Sequence, residues 1–401
     1  MPQDAIADPR YARAAPRRGM RLSWRDPTLR SIVWQIVIIG IVGFVIWWLV
    51  SNTMRNLEVR RIATGFGFLS REAGLPIAEA MIPYSPADTY ARALLVGILN
   101  TLRVAVIGIV LATVLGTLIG IARLSQNWLL ARLAAVYVEL LRDLPLLLQL
   151  LFWYALMQGL PGPRQAVNPF GSVFLSNRGI KFPWVVWESG HTAALLALLA
   201  GIAGTVLLAR RFAARQMATG VRPKLWPWGL ALMLGLPAAV WAAMGAPFAI
   251  DTPVLRGFNF QGGATITPEF GALLLGLVLY TAAFIAEIVR AGILAVHTGQ
   301  WEAAGALGLS RGEQLRLIIL PQALRVIIPP MTSQYLNITK NSSLAVAIGY
   351  QDIVSIANTT LNQTGQAIEG IAIIMAVYLT ISLSISLFMN WYNARIALKE
   401  R

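Results

Sequence analysis

In SQYLNITKNSSLA, residues 333–345, a lysine stands among hydroxyl and amide side chains in a stretch that should otherwise be apolar enough to cross a membrane. On a helical net Ser333, Asn337, Lys340, Asn341 and Leu344 share one side, a polar stripe expected to face the interior of a helix bundle. Such a stripe either joins helices through hydrogen bonds or lines a path for a polar solute. On the second reading the Lys340 ammonium attracts a carboxylate, with Ser342 beside it. Glu287 and Arg290, in AAFIAEIVRAGI (282–293), are three residues apart and so lie on one helical face. They form either a structural ion pair or a contact for the solute. Arg103, in GILNTLRVAV, is expected to snorkel toward the nearer interface.

Other chemistry is excluded by what the chain lacks. It has no cysteine and only two histidines, His191 and His297, far apart, so thiol chemistry is ruled out and a histidine metal cluster is not expected. Neither a GxSxG elbow nor an HExxH helix occurs, and no GxxxxGK[ST] loop is present to cradle a nucleotide phosphate. We therefore assign no catalytic residue, no metal ligand and no cofactor to this chain, and read it as not an enzyme. Any ATP-driven work must come from a partner.

The elements that carry these residues follow from composition. With 57% hydrophobic and 13% charged residues over 401, the chain is too apolar for an ordinary water-soluble domain and reads as an all-α integral membrane protein. Apolar runs long enough to span a bilayer lie near 31–50, 92–122, 134–158, 191–209, 227–248, 268–293, 326–349 and 369–391, giving about eight transmembrane helices. The first run, preceded by the arginine-rich segment 1–30, is too long for the core of a signal peptide and reads as a retained helix. Alternate connections hold Arg123 and Arg132; Arg210, Arg211, Arg215, Arg222 and Lys224; Arg311, Arg316 and Arg325; and Arg395, Lys399 and Arg401. This bias puts them, and both termini, in the cytoplasm, with Arg55, Arg60 and Arg61 running against it. The same topology accounts for the net charge of +15 without nucleic acid.

The connection 294–325 has the composition of a soluble hairpin. Glu302 and the alanines at 303, 304 and 306 favour a short helix, and Gly308 suits its left-handed end. Ser310 with Glu313 matches a capping box that starts a second helix, whose extension Pro321 should limit. The same pattern fits a DNA-binding helix-turn-helix in a membrane-tethered regulator. Against that, it is held between two spans and alternates charge at Arg311, Glu313 and Arg316 with no basic face for phosphates. A secondary transporter or channel is the remaining alternative.

Glu302, Ala303, Ala304, Gly308, Ile318, Leu320 and Pro321 match, at every position, the EAA loop of bacterial binding-protein-dependent ABC importer permeases. GILNTL (97–102), VELLRDLPLLLQLLFWY (138–154), AAFIAEIVRAGI, GQWEAAGALGLS (299–310) and TKNSSLA (339–345) resemble the polar amino-acid permeases of the histidine, glutamine and glutamate type. The length, with an insert at 159–267 that adds two spans, resembles the larger permease subunit of the general L-amino acid importers. Arg142-Asp143-Leu144-Pro145 and Lys340-Asn341-Ser342-Ser343-Leu344 depart from the RGTP and KDTSL of many relatives.

The resemblance implies a five-helix type I importer core in two parts, 92–158 and 268–395, with the coupling loop at 298–321. To that core are added the basic segment 1–30, an extra helix at 31–50, a periplasmic loop at 51–91 and a two-helix insert at 159–267. It implies that Glu302, Ala303, Ala304, Gly308, Leu320 and Pro321 couple to a cytoplasmic ATPase dimer, where ATP and Mg are used, and that Asn337, Lys340, Asn341, Ser342 and Glu287 line the substrate path. The other partners implied are a second, different permease subunit, a periplasmic amino-acid-binding protein and the lipids of the bacterial inner membrane, with no nucleic acid.

Overall fold

The computed structural model describes residues 27–59, 64–221 and 223–396. The basic segment up to residue 26, Arg60, Arg61, Arg222, Lys399 and Arg401 lie outside the described residues. The chain divides into two compact units, residues 1–66 with 364–366, and residues 67–363 with 367–401. In the first unit, α1 (Pro27–Val59) extends the expected span at both ends. Its apolar side chains are exposed, Ile39 and Trp47 among them, so lipid or another chain has to cover them.

In the second unit the long helices are α2 (Tyr90–Ala122), α5 (Ser189–Thr219), α8 (Pro268–Leu294), α11 (Leu320–Asn341) and α13 (Ala367–Ile396). Including α1 and the run Trp226–Ala243, seven helices among the described residues are long and apolar enough to cross a membrane. The remaining expected span, 134–158, is two shorter helices, α3 (Trp128–Asp143) and α4 (Leu146–Gln158). Proline disfavours helical geometry in the residue before it, and Leu144, ahead of Pro145, is extended with φ −87° and ψ 131°. The break is sealed by Gln149, whose buried amide donates to the carbonyls of Leu141 and Leu144 at 2.9 and 3.0 Å.

The core forms around α8, where 61% of the most apolar stretch is buried, against 33% in α2. The two helices approach closely through small residues. A Cβ on Gly116 would lie 2.6 Å from Ile285 Cβ, and one on Gly120 would lie 2.7 Å from the Ala286 carbonyl oxygen. This small-xxx-small pattern replaces hydrophobic driving force with dispersion contacts between backbones. Val104, Ala112, Leu150, Leu273, Leu277, Ile285, Ile319 and Ile338 are fully buried in the same cluster.

The segments on either side of the insert pair with each other. The strand β2 (Gly179–Phe182) pairs antiparallel with β1 (Phe174–Ser176) and with β7 (Ala264–Ile266), and β3 (Trp184–Val185) pairs with β4 (Ile250–Asp251). A second two-stranded piece joins β5 (Val254–Arg256) to β6 (Asn259–Gln261). Short as they are, β2 to β7 and β3 to β4 close the way into and out of the insert as a neck. Above it α5 packs on the run of α6 (Trp226–Leu230), a π turn (Ala231–Gly235) and α7 (Leu236–Ala243).

The expectation for Pro321 is overturned. Pro321 does not end the second helix of the hairpin: α10 (Arg311–Glu313) continues through a π turn (Gln314–Ile319) directly into α11. A proline lacks an amide hydrogen and its ring clashes with the carbonyl four residues back. Widening the preceding turn relieves both problems, and the Leu320 amide reaches back five residues to the Leu315 carbonyl. The same device precedes Pro237, where the Leu236 amide reaches the Ala231 carbonyl.

Candidate coupling and transport site

The hairpin consists of α9 (Thr298–Ala306), a turn, and α10. Gly308 adopts φ 76°, and its amide donates to the Gly305 carbonyl at 2.9 Å while Leu309 donates to Ala304 at 3.3 Å. These two bonds make a Schellman end, which satisfies carbonyls that α9 would otherwise leave open. Ser310 and Glu313 form the expected capping box: the Ser310 amide donates to Glu313 Oε2 at 2.9 Å, and the Glu313 amide donates to Ser310 Oγ at 3.4 Å. Gln314 Nε2 adds a bond to the Leu309 carbonyl at 2.8 Å.

The result is a rigid, twice-capped tip. On it Glu302, Ala303 and Gly308 are exposed, whereas Ala304 is buried. The sequence reading missed Leu307, which is 77% exposed at the turn. That exposure leaves it available to another surface, and its position just before the helix-ending glycine was the available signal. Leu320 is exposed and Pro321 half-buried, so both belong to the root of α11 and not to the tip.

Because α10 runs unbroken into α11, the tip is mechanically continuous with the polar stripe. Ser333, Asn337 and Lys340 are exposed on α11, Asn341 is half-buried, and Ser342 is buried with its hydroxyl donating to the Thr339 carbonyl at 2.7 Å. The stripe therefore does not face the interior of this chain's own bundle, as expected, but its outer surface. Among the described residues no ion pair involves Lys340.

Glu287 is not brought to the stripe. It accepts from Arg290 Nη2 at 2.6 Å, the expected pair, and from Arg123 at the end of α2. This three-charge clamp ties the ends of α2 and α8 together on the side from which α9 departs, the structural ion pair of the two readings offered for Glu287.

At the opposite ends of α2 and α8 lies a polar cluster that sequence reasoning did not assemble. Arg103 does not snorkel freely: its Nη1 meets Glu79 Oε2 at 2.8 Å, and its guanidinium lies 4.0 Å from the Phe270 ring centroid. Glu79 also accepts from the Thr267 hydroxyl. Asn100, wholly buried, donates to the carbonyls of Glu79 and Gln351, each at 2.9 Å. The Gln351 side chain accepts from the Ala78 amide at 2.7 Å and donates to the Pro76 carbonyl at 2.9 Å. The segment 76–79 is thereby strapped across this end, beside a cavity of about 370 Å³ lined by Glu79, Thr267, Glu269 and Tyr350.

Asp352 caps α12 (Ile353–Thr364) there, its Oδ1 accepting from the Ser355 amide at 2.8 Å. Its complete burial pushes the carboxyl up to about 7, in spite of the bonds from Ser355 and Tyr378. A lone Asp before an apolar helix was a legible cap signal. Glu79 carried none.

Comparison with known proteins decides the class. The family described as "Binding-protein-dependent transport system inner membrane component" matches residues 229–398. The putative amino-acid ABC transporter permease protein YhdX of Escherichia coli (strain K12) is 53% identical over 382 residues, covering 95% of this chain and 97% of that protein. The chain belongs to the amino-acid ABC transporter permeases. The general L-amino acid transport system permease protein AapQ of Rhizobium johnstonii is 52% identical, over 96% of this chain and 98% of that one. The glutamate/glutamine/aspartate/asparagine transport system permease protein BztB of Rhodobacter capsulatus is 45% identical, over 96% of this chain and 98% of its own. This permease is a multi-span protein of the bacterial inner membrane, and permeases of its family work with ATPase subunits and periplasmic binding proteins.

Proposed function

We propose that this permease carries polar L-amino acids into the cytoplasm, driven by an ATPase dimer that grips the hairpin at Glu302, Ala303, Leu307 and Gly308, with the buried Ala304 packing the tip beneath them. ATP and Mg are used on that partner. The observation that carries this reading is the capped tip with Gly308 at φ 76°, continuous through the π turn with α11. A rigid lever transmits a push at the tip to the stripe, whereas a loop would absorb it. Leu320 and Pro321 act at its root.

Asn337, Lys340, Asn341 and Ser342 line the path in this reading, with Lys340 attracting the substrate carboxylate. The stripe lies on the surface of the isolated chain, which supports a second permease subunit closing the path from the other side. The relatives include permeases for general L-amino acids and for glutamate, glutamine, aspartate and asparagine, which supports a polar substrate. We place 92–158 and 268–395 in the shared core and 31–50 and 159–267 outside it. The loop 51–91 faces the periplasm and an amino-acid-binding protein, and both termini face the cytoplasm. Glu287 holds α2 to α8.

The chain has no cysteine, so Leu307→Cys introduces a single thiol for crosslinking. In membranes that contain the whole transporter, this thiol is expected to crosslink to the ATPase subunit. Absence of both the crosslink and a co-purifying ATPase would rule the coupling reading out.

A further inference from the structure

The insert ends in a surface that the transport reading does not use. The helix α5 has 31 residues. The stretch from Ser189 to Ala209 spans about 31 Å, which already matches the hydrocarbon thickness of roughly 30 Å. Its last turns, with Arg210, Arg211 and Arg215, therefore project past the apolar layer.

All three arginines are exposed, as is Lys224 in the connection to α6. No Asp or Glu occurs anywhere from residue 189 to 250, so no carboxylate on the helical hairpin itself neutralises them. Trp226 and Trp228 follow at once, 68% and 58% exposed. Arg211 and Arg215, four apart, share a helical face.

The hairpin beneath is almost unpacked by the rest of the chain. In α5 only Gly190, Ala197 and Gly201 are buried, and in the return run none is. Leu196, Leu199 and Leu207 are exposed on the same helix that bears the arginines. Apolar side chains, then tryptophans, then a cluster of cations is the order in which a bilayer presents hydrocarbon, interface and anionic headgroup.

We propose that the end of the insert, formed by Arg210, Arg211, Arg215 and Lys224 with Trp226 and Trp228, is a binding site for the headgroups of anionic phospholipids. Arginine suits this role because its planar fork donates two parallel bonds to a phosphate, and the indoles seat at the ester level beside it. The continuity of apolar surface and cationic end along α5 favours lipid over an acidic protein partner, which would have to cover both. The insert thereby becomes a lipid-anchored outrigger, fastened to the core through its strand neck.

The test uses the full chain, reconstituted in bilayers of phosphatidylcholine with a minor fraction of phosphatidylglycerol. The lipids that stay bound on extraction are then identified by native mass spectrometry. The wild type is expected to retain phosphatidylglycerol well above its fraction in the bilayer. The variant R210Q/R211Q/R215Q should lose that enrichment roughly tenfold or more, since each basic residue near an anionic surface contributes severalfold. R210K/R211K/R215K, which keeps the charge, should retain most of it.

Raising salt on the wild type should erase the enrichment, a measurement that stands even where the triple variant fails to accumulate. Equal retention by wild type and the glutamine variant overturns the proposal, as does an enrichment indifferent to salt. So does a glutamine variant that keeps its lipids and instead loses a co-purifying protein.

Discussion

Arg103 and Glu79 meet at 2.8 Å across the end of the α2/α8 pair, and the guanidinium simultaneously covers the ring of Phe270 at 4.0 Å. The pair joins an extended loop to a membrane helix, so its loss acts on the strap 76–79 as well as on one contact. Arg103→Ala leaves Glu79 partly buried without its cation and should destabilise the chain by about 1–3 kcal/mol. Glu79→Gln should cost less, because the amide still accepts from Thr267. Thermal unfolding in detergent, run as a double-mutant cycle with both changes together, should give a coupling energy well above that of a surface pair. Additive effects would place the strap's stability elsewhere.

Gly308→Val should leave the chain inserted yet separate ATP hydrolysis from uptake. A β-branched residue at φ 76° is strained by about 1–2 kcal/mol, and the tip reshapes to relieve it. Asparagine tolerates this conformation better, so Gly308→Asn should keep most uptake. Transport assays in vesicles with ATP consumption measured in parallel distinguish the two.

Lys340→Ala should lower uptake of amino acids by roughly tenfold or more if the ammonium contributes an attraction of more than a kcal/mol to the substrate carboxylate. ATPase association should be unchanged. Unaltered rates and substrate preference would make the stripe a helix-joining surface instead.

Gly116→Leu should weaken the pairing of α2 with α8 severely, because the added side chain starts 2.6 Å from Ile285 Cβ and 2.8 Å from the Ala282 oxygen. Overpacking of this kind costs about 1–3 kcal/mol or prevents assembly, with Gly116→Ala in the same direction and smaller. Melting temperature and the yield of folded chain report it.

Asp352 makes stability depend on pH. In the folded chain its carboxyl holds the proton up to about pH 7, whereas an exposed aspartate loses it near its ordinary value of 3.8. Between these values the folded state binds more protons than the unfolded one, so this group's contribution is fully present below the lower value. It is lost as pH rises through about 7. Asp352→Asn keeps an acceptor for Ser355 and removes the titration. The wild type should melt lower at pH 8 than at pH 5, and the variant should flatten that difference.

Much of this was legible in the amino-acid order. Apolar runs of bilayer length, basic residues in alternate connections and the Gly308 and Ser310/Glu313 turn signals are local, so spans and capped hairpin could be read from spacing alone. Even the break in 134–158 was written at Leu144-Pro145, where proline acts on its neighbour. What the order of residues could not decide was partnership across distance. Glu79 and Arg103 are 24 positions apart and Arg123 and Glu287 are 164, and no periodicity links them. Nor could it decide which way the polar stripe faces, since a helical net defines a side and only packing says what lies against it. Pro321 is the instructive case: its local rule says stop, but a single widened turn accommodates it, and the tertiary structure keeps tip and span as one lever.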